Sequence, residues 1–161
     1  MSHFLFLWLK MGLFDDDLFR QIVTLAHHLP MEIESLVLML FSFTRIEKLL
    51  GVQQFRERIE SDKHFAEVMR FLIRERLYKQ RGKIEAYVMQ DRAEDGNEQC
   101  VKLTMLLKAL TFSHKYLADN FEPYILETIK ETLRIAGKLI QSFDLSDEKV
   151  PLSIVTVINL L

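Results

Sequence analysis

Asp62–Met89 reads DKHFAEVMRFLIRERLYKQRGKIEAYVM. Apolar residues fall at Phe65, Val68, Met69, Leu72, Ile73, Leu77, Ile84, Tyr87 and Val88. Most steps are three, four or seven, which is one face of a helix and not the alternation of a strand. Asp62 precedes the first apolar residue and can cap the helix, because its carboxylate can accept from a first-turn amide that has no helical partner. A straight helix of this length spans about 42 Å, more than the width of a small domain. The stretch therefore either bends or projects. Gly82 is the expected point of change, since it lacks a Cβ and weakens helix there. Around it the apolar stripe lapses into Arg74, Arg76, Lys79, Arg81 and Lys83, with Glu75 the only acid among them. These five cations are candidates for an anion-facing surface, against the plainer reading of a solvated helix face.

Working outward, the neighbouring stretches repeat the helical pattern. Asp15, Asp16 and Asp17 offer caps and negative charge for a helix over about Asp16 to His28. Pro30 fits the first position of the next, which ends at Gly51. Within it Leu36 to Phe43 is apolar on nearly every side, so this helix is expected at the centre or shared with a second subunit. A short helix over Val52 to Ile59 leads into the central stretch. Asp91 to Glu98 is polar and holds Gly96, which marks a loop. A helix over about Glu98 to Asp119 follows, with Val101, Leu103, Met105, Leu106, Leu107, Leu110 and Phe112 inward or nearly so. Glu122-Pro123 opens a last one to about Phe143, with Ile125, Ile129, Leu133, Ile135, Ala136, Leu139 and Ile140 as its apolar set. Beyond it VPLSIVTVINLL suits either a helix after Pro151 or a strand, and is expected to pack on the bundle or on another copy.

The chain is 161 residues and 49% hydrophobic, with 5 Gly and 3 Pro. That excludes disorder and a turn-rich β-sandwich and predicts one all-α domain, a bundle of about five to seven helices. The net charge of −2 gives no global attraction for nucleic acid. A single cysteine, Cys100, precludes an intrachain disulfide and points to a reducing, cytoplasmic setting.

Met1 to Phe14, MSHFLFLWLKMGLF, is the densest apolar segment near the start. It lacks the basic start and cleavage site of a signal peptide and is too short to span a bilayer. Burial as a first helix is favoured. The alternative is a docking arm that uses Phe4, Phe6, Trp8 and Leu9 on a partner, a second copy or a membrane surface.

No phosphate loop, HExxH, GxSxG or Glu-x-x-His pair is present, so no motif asks for a metal or a cofactor. His27 and His28 are adjacent and point about 100° apart, which makes them poor co-ligands. Cys100 begins an apolar stripe and reads as a small buried hydrophobe. His114 reads as a half-buried surface histidine. Arg58-Ile-Glu-Ser-Asp-Lys-His64 has the arginine-to-histidine spacing that resembles small helical ribonucleases of the HEPN class. The resemblance implies a proton-transfer histidine and a phosphate-binding arginine at a dimer interface. Where those enzymes usually place a polar residue after the arginine, this chain has Ile59. The leading expectation is a self-associating, non-enzymatic interaction module. A ribonuclease at Arg58 and His64, a membrane-surface protein and a hydrophobic-ligand carrier with a closed apolar cavity are the rivals.

Overall fold

The computed structural model describes residues 1–90, 97–117 and 122–142. The protein is an all-α helical bundle. Its elements are α1 (Ser2–Lys10), α2 (Asp16–His28), α3 (Ile33–Leu50), α4 (Val52–Ser61), a long composite rod, α7 (Asn97–Leu117) and α8 (Glu122–Gln141). The rod comprises α5 (Lys63–Phe71), a π-helical segment (Leu72–Leu77), a 3₁₀ segment (Tyr78–Lys83) and α6 (Ile84–Met89). The expected loop at Asp91–Glu98 lies outside the described residues apart from its last two positions, and the segment from Phe143 to Leu161 lies wholly outside them.

Local chemistry sets most boundaries. Asp15 Oδ1 accepts from the Leu18 amide at 2.8 Å and starts α2. Asp62 Oδ1 accepts from the Phe65 amide at 3.2 Å and starts α5. Gly51 ends α3 and begins α4 at φ 83° and ψ 156°, a region that essentially glycine alone enters. One boundary differs from expectation. Pro30 stands before α3 and not in its first position, because Glu32 takes an extended conformation (φ −69°, ψ 159°) and supplies the N-cap of a helix that begins at Ile33.

α3 is the central helix: Leu36, Val37, Leu38, Met39 and Leu40 are all buried. α1 and α7 pack along it, and α8 packs on α7. One apolar cluster runs through α1 to α8. Its middle is aromatic. The Phe65 ring lies 5.3 Å from Phe19, 5.3 Å from Phe43 and 6.1 Å from Phe55, all edge-on. Such geometry sets the positive ring edge against the negative ring face. Val101 and Leu133, expected near the interior, are instead partly exposed on α7 and α8. Long helices carry more apolar positions than one buried stripe accommodates.

The rod resolves the bend-or-project alternative in a third way. The dihedrals at its junctions, Phe71, Leu77, Tyr78, Lys83 and Ile84, are all right-handed helical, but the winding changes. Leu72 and Leu77 are both buried and five residues apart, the spacing that a π turn brings into line. The following 3₁₀ segment eclipses residues three apart. Tyr78 and Arg81 accordingly stack, with the guanidinium 4.1 Å from the ring centroid. The basic segment does not stand clear of the bundle. It packs against α8, and Gln80 donates to the Met31 carbonyl at 3.2 Å.

Two measurements check this account. A Cβ at Gly51 would meet no atom within 4 Å, so Gly51→Ala carries conformational strain alone. It should lower stability in urea by about 1–3 kcal/mol. Gly82→Ala, at negative φ and also in open space, should instead raise it by about 0.5–1 kcal/mol. Burial pushes the Tyr87 phenol up to about 12, with Glu34 and Glu98 adding repulsion. The unfolded phenol ionises near pH 10. The denatured chain therefore loses that proton first, and stability that is full below about pH 10 should fall between about pH 10 and 12. Tyr87→Phe should flatten that decline in urea midpoints taken across the range.

Candidate functional site

α1 has two apolar faces. Leu5, Trp8 and Leu9 are buried against the bundle, so two of the expected docking residues, Trp8 and Leu9, are core residues here. Phe6 is half-buried, 6.1 Å from Phe41 by ring centroids and beneath the Arg45 guanidinium at 5.6 Å. The outward face keeps Phe4 at 56% exposure and Leu7 at 55%, and the chain continues it through Met11 at 68% and Leu13 at 51%. Phe4, Leu7 and Met11 follow i, i+3, i+7 spacing and form one stripe. Sequence pattern alone could not divide a helix that is apolar all round into an inner and an outer face.

The basic segment is largely occupied by its own neighbours. Glu75 lies 2.6 Å from both Arg74 and Lys79. Those contacts hold its carboxyl below the usual range, Lys79 contributing first. The Arg76 guanidinium lies over the Phe71 ring at 5.3 Å, and Arg81 lies over Tyr78. Among the described residues, Lys83 alone of the five has no ion-pair or ring partner. Nearby, Arg134 reaches Glu85 at 2.7 Å and Glu131 at 2.6 Å, and Lys138 reaches Glu85 at 2.7 Å. Charge here is paired from helix to helix.

Arg58 and His64 have separate partners. The Arg58 guanidinium donates to Asp16 and lies over the Phe14 ring at 5.1 Å. Burial pushes its pKa down, against the opposing charge of Asp62. His64 Nε2 is 3.2 Å from Thr24 Oγ1. No hydrogen bond joins the two side chains. His27 stacks edge-on against Phe71 at 4.3 Å, Cys100 is buried, and His114 is half-buried. Among the described residues no three His, Cys, Asp or Glu side chains are grouped to hold a metal ion. Among them also no helix is long and apolar enough to cross a membrane.

A further feature lies where the end of α3 turns through Gly51 into α4 beside α7. It is a groove of about 490 Å³, walled by Phe41, Val52 and Phe112. Among the described residues, Thr44, Thr111, Arg45, Lys48, Lys108 and Lys115 line it with a single acid, Glu47. Glu47 accepts from Lys115 Nζ at 2.5 Å and from the Tyr116 hydroxyl at 2.8 Å. That contact raises the pKa of Lys115. Sequence reasoning missed this groove. The signal was present: Lys108, Thr111 and Lys115 recur at i, i+3, i+7 on α7, and Thr44 and Lys48 at i, i+4 on α3.

Comparison of the chain with protein-family models, with characterised proteins and with solved structures gave no match.

The different settings of Arg58 and His64 separate in thermal melts. Arg58→Ala loses an ion pair and the contact of the guanidinium with the Phe14 and Phe19 rings, and should cost about 1–3 kcal/mol. His64→Ala, at an exposed helix start, should stay within about 0.5 kcal/mol of the parent protein.

Proposed function

We propose that this protein is a non-enzymatic helical interaction module that pairs with a second copy of itself through the outer face of α1. One observation carries the reading: α1 is anchored on α3 by Leu5, Trp8 and Leu9 while Phe4, Leu7 and Met11 remain exposed on the other side. A stripe of large apolar side chains on a fixed helix marks a contact surface. The charged group beside it is Lys10, at the stripe's edge. A two-fold contact sets the stripe on its own copy, so apolar meets apolar. A helix of nine residues offers a small patch, below the roughly 800 Å² per partner of a standard interface, so the association is weak. The cytoplasm suits a protein whose single thiol is buried.

The ribonuclease reading has less support. The Arg58 charge is held by Asp16 and the Phe14 ring, and His64 contacts Thr24.

Sedimentation equilibrium over a hundredfold concentration series tests the proposal, with Leu7→Glu as the variant. The parent protein should show a monomer–dimer equilibrium and Leu7→Glu a monomer of unchanged helicity. A parent protein that is monomeric throughout removes the second copy as occupant. Co-sedimentation of that monomer with anionic vesicles, lost in Leu7→Glu, would assign the face to a membrane surface instead.

A further inference from the structure

We infer that the groove between α3, α4 and α7 binds a small anionic amphiphile, a molecule with one phosphate or carboxylate head and a short apolar chain. The inference rests on the lining and is independent of self-association through α1. The groove's volume of about 490 Å³ is roughly three times that of a cavity that accepts benzene. It falls in the ordinary range of small-molecule sites.

The lining has two chemistries. Phe41, Phe112 and Val52 supply the apolar part. Arg45, Lys48, Lys108 and Lys115, with Glu47, supply the charged part, in a chain whose net charge is −2. Two of those cations are already engaged. Lys115 is paired with Glu47, and the Arg45 guanidinium lies 5.6 Å and 5.9 Å from the centroids of the Phe6 and Phe41 rings. Lys48 and Lys108 are exposed, and among the described residues neither has a carboxylate within ion-pair distance. An uncompensated pair of ammonium groups beside an apolar wall favours an anion that carries hydrocarbon.

The corner adds to this. α4 begins at Val52 with no side-chain cap and no acid in its first turn. Its first amides lack the carboxylate that Asp15 and Asp62 provide for α2 and α5. Among the described residues, neither a capping side chain nor a first-turn acid offsets the partial positive charge of that helix end. Thr44 and Thr111 hydroxyls donate to the Phe41 and Leu107 carbonyls, so their oxygens can only accept and do not compete as anion donors. The head group is thus assigned to the lysines.

Calorimetric titration of the full chain with octyl phosphate, octanoate, inorganic phosphate and 1-octanol tests the inference. One amphiphile should bind with one-to-one stoichiometry, at least about tenfold tighter than either phosphate or octanol. Comparing octyl phosphate with octanoate identifies the head. Lys48→Glu combined with Lys108→Glu should weaken that binding at least about tenfold while leaving helicity unchanged, because both side chains are exposed. Val52→Asp gives a second variant: an acid at the first helical position favours α4 yet opposes an anion in the groove. It should bind more weakly without loss of stability. Leu7→Glu should bind as the parent does. Equal binding of octanol, or no effect of the lysine changes, would overturn the assignment of an anionic head. Equal binding of free phosphate would overturn the apolar tail. Absence of any titration heat or of ligand-induced shifts in NMR spectra would overturn the site itself.

Discussion

The bundle depends on the contact of one ring with three others. Phe65 stands one turn after the Asp62 cap and meets Phe19 of α2, Phe43 of α3 and Phe55 of α4. Each edge-on pair contributes about 0.5–1.5 kcal/mol beyond the area it buries. The larger effect is geometric. Edge-to-face packing fixes ring orientation, and ring orientation fixes the approach of the helix that carries it. Four helices are thereby held around one side chain whose position is set by a hydrogen bond three residues away.

That arrangement extends outward to the groove by contiguous contacts. Phe55 lies 5.2 Å from Phe112 and 5.0 Å from Tyr116, which places α7 against the α3–α4 corner. Tyr116 then donates to Glu47, and Glu47 takes Lys115 as its ion-pair partner. The core thus determines which lysine is neutralised and which two are left. A charge pattern at the surface is here the outcome of aromatic packing inside.

The sequence disclosed what is local. The caps at Asp15 and Asp62, the break at Gly51 and the apolar girth of Leu36 to Phe43 each depend on a few adjacent residues, and each reappears in the structure. The residues that escaped are those whose partners lie far along the chain. Arg58 joins Asp16 across 42 positions and Lys115 joins Glu47 across 68, distances over which spacing carries no information. Trp8 and Phe4 are equally apolar in sequence. Only the seat of α1 on α3 makes one a core residue and the other a surface residue. The groove belongs to the same class, since its two polar stripes are each ordinary until α7 lies beside α3.

The composite rod can also be regarded as a wave with a phase. An α-helix advances about 100° per residue and a 3₁₀-helix about 120°, whereas a π-helix advances less than either. In this rod six residues of slow winding precede six of fast winding, so the two errors oppose each other before α6 begins. Ile84, Tyr87 and Val88 consequently arrive facing the core. Residue number within 72–83 is therefore a structural quantity in its own right. Removing one residue there would rotate everything after it by about a quarter turn and carry Tyr87 and Val88 out of the core, although no side chain of α6 had been altered.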